Sequence, residues 1–89
     1  MITKNQIKFI RGLSDKKNRR KSKCFIVEGE KCVSELLISS YNIVEIYALK
    51  DWKDTNMKSN CKINIISLKE LKMISNLKSP NNVLAIASI

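Results

Sequence analysis

Between a run of cations and an acidic glycine turn lie four consecutive apolar, β-prone residues, Cys24-Phe25-Ile26-Val27. No other stretch limits the possible folds so strongly. A run this short and continuous is what a strand buried on both faces would carry. Glu28-Gly29 stops it, and Val33, Leu36 and Leu37 then recur at helical spacing with Cys32 beside them. Strand and helix can therefore close on one core. The 22 residues from Lys16 to Leu37 thus hold a charge-to-core boundary, because six cations between Lys16 and Lys23 lead directly into the strand.

Before this stretch, Thr3 and Gln6 have the spacing of a capping box, and Ile2 and Ile7 stand where a hydrophobic staple would place them. A helix is predicted from there to about Leu13. Ile7, Ile10 and Leu13 line one face with Phe9 alongside, while Lys4, Lys8 and Arg11 fall on another. Gly12 weakens the end of the helix, and Ser14-Asp15 can restart a short basic turn or helix through Lys21. After the strand at 24–28 and a helix over about 30–40, the segment 43–49 is rich in β-formers. Asp51 is placed to cap a short helix to about Met57, carrying Trp52 and broken by Ser59-Asn60. A strand at 63–66 follows, then a second capping box, Ser67 with Glu70. It opens a helix with Leu68, Leu71 and Ile74 inward and Leu77 just past its end. Lys78 to Asn82 is a turn by composition, and Val83 to Ala87 is a last buried strand. Strands alternating with helices predict one layered α/β domain over residues 1–89, with helices covering a mostly parallel sheet.

Charge is distributed unevenly. Residues 1–23 carry nine cations and one anion, a net +8, whereas the other 66 carry eight cations and seven anions, a net +1. Such an asymmetry is the footprint of polyanion binding. Nucleic acid fits better than a membrane, since large apolar anchors do not interleave with the charges. The plain alternative is a solvated basic arm. On this basis Lys8, Arg11, Lys16, Lys17, Arg19, Arg20 and Lys21 are the candidate polyanion contacts. No apolar run reaches the ~18 residues of a membrane span, and Met1–Leu13 lacks the apolar centre of a secretion signal, so a soluble, cytoplasmic chain is expected.

Other chemistries find little support. Three cysteines (Cys24, Cys32, Cys61) without a C-x-x-C pair, and no histidine, argue against a metal site or a disulfide framework and leave a thiol nucleophile without its usual base. Cys24 and Cys32 are read as small core residues. With only Gly12 and Gly29, neither a dinucleotide-binding turn nor a phosphate loop can be built. Glu28 and Glu30 are too weakly constrained to be a hydrolytic pair, so no catalytic residue is assigned. For Glu28, pairing with an arginine of the preceding run is preferred over accepting a hydrogen bond from an amide of the turn. Gly29 is expected to supply a backbone conformation open only to glycine. Phe25 and Phe9 are assigned to core packing by default, while Tyr41 and Trp52 stay open to contact with nucleic acid.

Taken in order, these pieces resemble the N-terminal substrate-binding domain of SpoU/TrmH-type RNA 2′-O-ribose methyltransferases, over nearly the whole chain. The resemblance is carried by Lys4-Asn5-Gln6-Ile7-Lys8 with Leu13, by Lys17-x-Arg19, by Phe25-Ile26-Val27-Glu28-Gly29-Glu30, and by Val33 with Glu35-Leu36. It ends on Ser75-x-Leu77-Lys78-Ser79-Pro80-Asn81-Asn82-Val83-Leu84-Ala85. The family often has glycine where this chain has Lys23 and Asn82. The resemblance implies an α/β/α sandwich with a small mixed sheet, like kink-turn-binding ribosomal proteins, and structural-turn roles for Glu28, Gly29, Pro80 and Asn82. It also implies rRNA or tRNA as partner. S-adenosylmethionine binding, catalysis and homodimerisation would belong to a C-terminal knotted domain absent from these residues. A free-standing RNA-binding protein of ribosomal type is the alternative.

Overall fold

A computed structural model describes residues 2–53 and 62–88. Helix α1 (Lys4–Gly12) opens on the expected capping box: the Thr3 hydroxyl accepts from the Gln6 amide at 3.1 Å, and the Gln6 side-chain oxygen accepts from the Thr3 amide at 2.8 Å. A cap of this kind contributes about 1 kcal/mol. Helix α2 (Lys16–Ser22) starts anew at Asp15, whose carboxylate accepts from the Lys17 amide at 2.9 Å. Then follow β1 (Cys24–Glu28), α3 (Glu30–Leu37), β2 (Asn42–Ala48), β3 (Ile63–Ile65), α4 (Leu68–Ile74) and β4 (Val83–Ser88). The Ser67–Glu70 capping box of α4 forms as the spacing required.

The sheet has the order β1-β4-β2-β3. Among the described strands only β2 and β3 run parallel, whereas β4 is antiparallel to both of its neighbours. The largely parallel sheet expected from alternating elements is therefore corrected to the mixed sheet that the family resemblance implied. Alternation along the chain cannot see that the last strand inserts between the first two, because insertion depends on pairing between residues 35 or more positions apart.

β4 is buried from Val83 to Ala87 and divides the interior into two layers. Val83, Ala85 and Ala87 face α3, where Val33, Leu36, Leu37, Ile46, Ala48 and Trp52 close one core. Leu84 and Ile86 face the other way, toward Ile10 and Leu13 near α1 and Leu71 and Ile74 of α4, with Tyr47 and Ile66. Helices thus cover both faces, which makes the α/β/α sandwich. A bulge between Ile43 and Glu45 shifts the pairing of β2 against β4. The extra residue brings Ile43 onto the same face as Ile46, which strict alternation would forbid, and it accounts for the loose period of this segment.

Burial corrects several readings. β1 is an edge strand, half-buried along its whole length rather than enclosed on both faces. Cys32 is exposed and falls outside the core, whereas Cys24 is half-buried and packs against the layer of Leu84 and Ile86 as a small core residue. Phe9 is 44% exposed and Leu68 48%, so their apolar side chains lie at the surface despite their places in the helical pattern. Helix α3 stops at Leu37, short of the limit near residue 40. Trp52 is buried in the α3-side core, which removes it from the candidate contacts, while most of the short helix expected around it and Cys61 lie outside the described residues.

Candidate nucleic-acid interface

α2 has no buried residue, and it carries Lys16, Lys17, Arg19, Arg20 and Lys21. A helix polar all round is not held in place by packing. Here its ends are fixed instead. Asp15 caps the start, and Lys23 adopts the left-handed conformation at φ 59°, returning its amide to the Arg19 carbonyl at 2.8 Å and turning the chain into β1. The Asn18 side chain donates to the Gly12 carbonyl at 2.9 Å, close enough that a Cβ on Gly12 would crowd it at 3.3 Å.

The predicted cations divide into two groups. Arg19 donates to the carbonyls of Leu13 and Ser14, both at 2.8 Å, and so clamps the connection between α1 and α2. Arg11 donates to the Met73 carbonyl at 2.8 Å and ties α1 to α4. Both are therefore structural as well as cationic. Lys8, Lys16, Lys17, Arg20 and Lys21 enter no ion pair among the described residues, where the single salt bridge joins Lys62 to Glu45 on another strand at 3.7 Å.

Two grooves adjoin this surface. One, of about 570 Å³, runs between α1 and α2 and includes Lys8, Phe9, Asn18 and Lys21. The other, of about 440 Å³, lies where α2 meets β1 and is lined by Lys16, Arg19, Arg20, Cys24, Phe25 and Tyr41. Tyr41 is half-exposed and stands edge-on to Phe25, with ring centres 5.2 Å apart and planes at 79°. The spatial meeting of Tyr41 with α2 was not visible in the sequence, since some twenty residues and a helix separate them.

The turn residues gather at the opposite end of the sheet. Gly29 has φ 94° and ψ 152°, a region essentially reserved for glycine, and its amide donates to the Val83 carbonyl at 2.9 Å. Conformation sets this requirement and crowding does not, since an added Cβ would meet its nearest neighbour, on Asn81, at 3.9 Å. The Asn81 side chain accepts from the Glu30 amide at 3.2 Å, substituting for the cap that glycine cannot provide. Asn82, at φ 56°, donates through its side chain to Glu30 at 2.7 Å. Glu28 pairs with no arginine. Its carboxylate accepts from the Ser75 hydroxyl and, at 2.9 Å, from the Asn76 amide, so it fastens β1 to the segment after α4. Pro80 is half-buried within that segment.

The perturbed titrations belong to the scaffold. Burial, reinforced by the Glu45 carboxylate, pushes the Tyr47 phenol up to about 12. The Ile2 and Ser67 amides, donating to Glu70, hold its carboxyl below the usual range. Among the described residues no group of three or more acidic or cysteine side chains could hold a metal ion, and no helix is long and apolar enough to cross a membrane.

No curated protein sequence is significantly similar. Among solved structures, one assigned to the TrmH family of RNA methyltransferases, from Porphyromonas gingivalis, superposes with a TM-score of 0.86 at 27% identity, covering 99% of this chain and 36% of the other. An RNA 2′-O ribose methyltransferase gives 0.77 at 18% identity, covering 97% and 35%, respectively. An AdoMet-bound rRNA methyltransferase from Sinorhizobium meliloti gives 0.75 at 21%, covering 99% and 34%. At these identities the last two speak for the fold alone, and the chain spans about a third of the length of each. The sequence also matches a family profile over residues 4–85, nearly its whole length, and the chain accordingly belongs to the MRM3-like substrate binding domain family.

Proposed function

We propose that this domain grips folded rRNA or tRNA for 2′-O-ribose methylation by a catalytic domain in the same polypeptide, and that it works in the cytoplasm. The carrying observation is a cationic helix without a buried residue, fixed at both ends and set against the edge of a rigid sheet. Phosphates are the natural partners of such a surface, and phosphate contacts position an RNA without reading its sequence. Tethering RNA in this way increases the effective concentration of a target ribose at the catalytic centre. On this reading S-adenosylmethionine is held by the catalytic domain, since Gly12 and Gly29 stand singly and neither belongs to a glycine-rich loop. Calorimetry of this chain with the cofactor should register no saturable heat.

The test is RNA affinity as a function of salt, with fluorescently labelled total tRNA and 16S rRNA fragments as probes. If about four cations each neutralise one phosphate, log K should fall against log salt with a slope near −3, from ~0.7 counterions per single-strand contact. Replacing Arg20 and Lys21 by glutamine should weaken binding and flatten the slope by one to two units, at ~0.7 each. The control, Lys69→Gln with Lys72→Gln on α4, removes equal charge elsewhere. Equal losses in both double variants would mean that only net charge is being sensed. A free-standing RNA-binding protein would behave alike in this assay, and the reading frame beyond the codon for Ile89 separates the two.

A further inference from the structure

We propose that the groove between α2 and the start of β1 is a pocket for one unstacked RNA base, with Tyr41 as the stacking platform and Lys16, Arg19 and Arg20 holding the flanking phosphates. The inference rests on the RNA-binding reading above and adds a specific subsite to it.

The lining combines the two chemistries that an extruded nucleotide needs. Three cations and two aromatic rings border a volume of about 440 Å³, and among the described residues no carboxylate lines it. Unstacked bases are recognised by stacking on aromatic side chains or guanidinium planes, with basic groups tracking the backbone on either side. The platform is also held in advance. Ser39, following α3, directs its hydroxyl to the Leu36 carbonyl at 2.6 Å and accepts from the Tyr41 amide at 3.2 Å, which pins the backbone at Tyr41. Asn42, the next residue, donates to the Ser88 hydroxyl at 3.2 Å. Phe25, anchored against the α3-side core, meets the Tyr41 ring edge to face. A ring restrained at its backbone and on one side, yet 50% exposed, offers a base a surface that needs little further ordering on binding. Core packing explains Phe25, but it does not explain why a half-exposed tyrosine is fixed beside three cations.

The alternative groove between α1 and α2 is less suited. It has a single aromatic residue, Phe9, and two cations, Lys8 and Lys21. Phe9 therefore supplies a control.

Two RNA hairpins separate a base pocket from phosphate binding alone. They are identical except at a single-nucleotide bulge, which carries adenine in one and an abasic residue in the other. The 89-residue chain should bind the adenine hairpin about five- to tenfold more tightly, at the lower end of what one stacked base contributes. Tyr41→Ala should abolish that ratio while leaving affinity for the abasic hairpin unchanged, and Tyr41→Phe should preserve it. Phe9→Ala should not alter the ratio. Urea midpoints verify that each variant is folded. Cys24 gives a second readout, since it lines the same groove and the adenine hairpin should slow its alkylation more than the abasic one does. Equal affinity for both hairpins would overturn the pocket and leave RNA binding intact. A ratio lost in Phe9→Ala but kept in Tyr41→Ala would move the base to the other groove and overturn the assignment. No binding to either hairpin would overturn both readings.

Discussion

At the Gly29–Val83 end of the sheet, polar side chains are consumed by the fold: Glu28 holds Ser75 and Asn76, Asn81 caps α3, and Asn82 reaches Glu30. At the Cys24–Ser88 end, Lys16, Lys17, Arg20 and Lys21 pair with no carboxylate among the described residues, and α2 offers them outward. The difference separates what polar groups contribute to stability from what they contribute to binding. A charge satisfied inside the fold is costly to remove, whereas an exposed one is worth little to stability and remains available to a partner. Arg19 lies between these cases, a member of the cationic helix whose guanidinium gives one nitrogen, Nη1, to two carbonyls.

Substitutions can break this contrast at graded points. The largest effect is expected at Gly29. Valine there would be forced into a region that β-branched residues avoid, and unfolding stability should drop by about 3 kcal/mol in urea titration. An unchanged midpoint would mean that the turn relaxes to an ordinary conformation. Glu28→Gln removes the charge from two hydrogen bonds and reverses the one to the Ser75 hydroxyl, since the amide oxygen must stay with the Asn76 amide, for a loss of about 1–2 kcal/mol. Arg19→Gln removes hydrogen bonds to two carbonyls and should cost about 1–2 kcal/mol, so that here a lost charge lowers stability and RNA affinity together.

Smaller effects probe Lys23 and Asn82, left-handed positions that are not glycine. Lys23→Gly should raise stability by about 0.5–1 kcal/mol, relief of the Cβ penalty exceeding the added freedom of the unfolded chain. Asn82→Gly should not, because it also removes the contact with Glu30. A gain at Asn82 equal to that at Lys23 would show that this contact contributes nothing. Last, Arg20→Gln with Lys21→Gln should move the unfolding midpoint by less than the equivalent of about 0.5 kcal/mol, even as RNA binding weakens. A large loss of stability would erase the distinction between the two ends of the sheet.

Much of this was legible beforehand because it is local. Capping boxes at Thr3 and Ser67, the restart at Asp15 and the strand stop at Glu28 involve residues within a few positions of one another. The family's preference for glycine at the positions of Lys23 and Asn82 also has its physical cause on view, since both take positive φ. Phe9 and Leu68 were misplaced because periodicity says which residues can share a face, but not how far the covering layer extends over it.

By itself the sequence determined where most helices and strands begin, most of the apolar positions that the core draws on, and that nearly all excess charge precedes the first strand. Short-range sterics, hydrogen bonding within a turn and solvation are enough for those. Only the tertiary structure decided that β4 inserts between β1 and β2, that Glu28 binds Ser75 in place of an arginine, and that Tyr41 stands beside α2. Each of these depends on which distant segments meet. That choice is made by burial and strand pairing summed over the whole chain, and no local pattern encodes it.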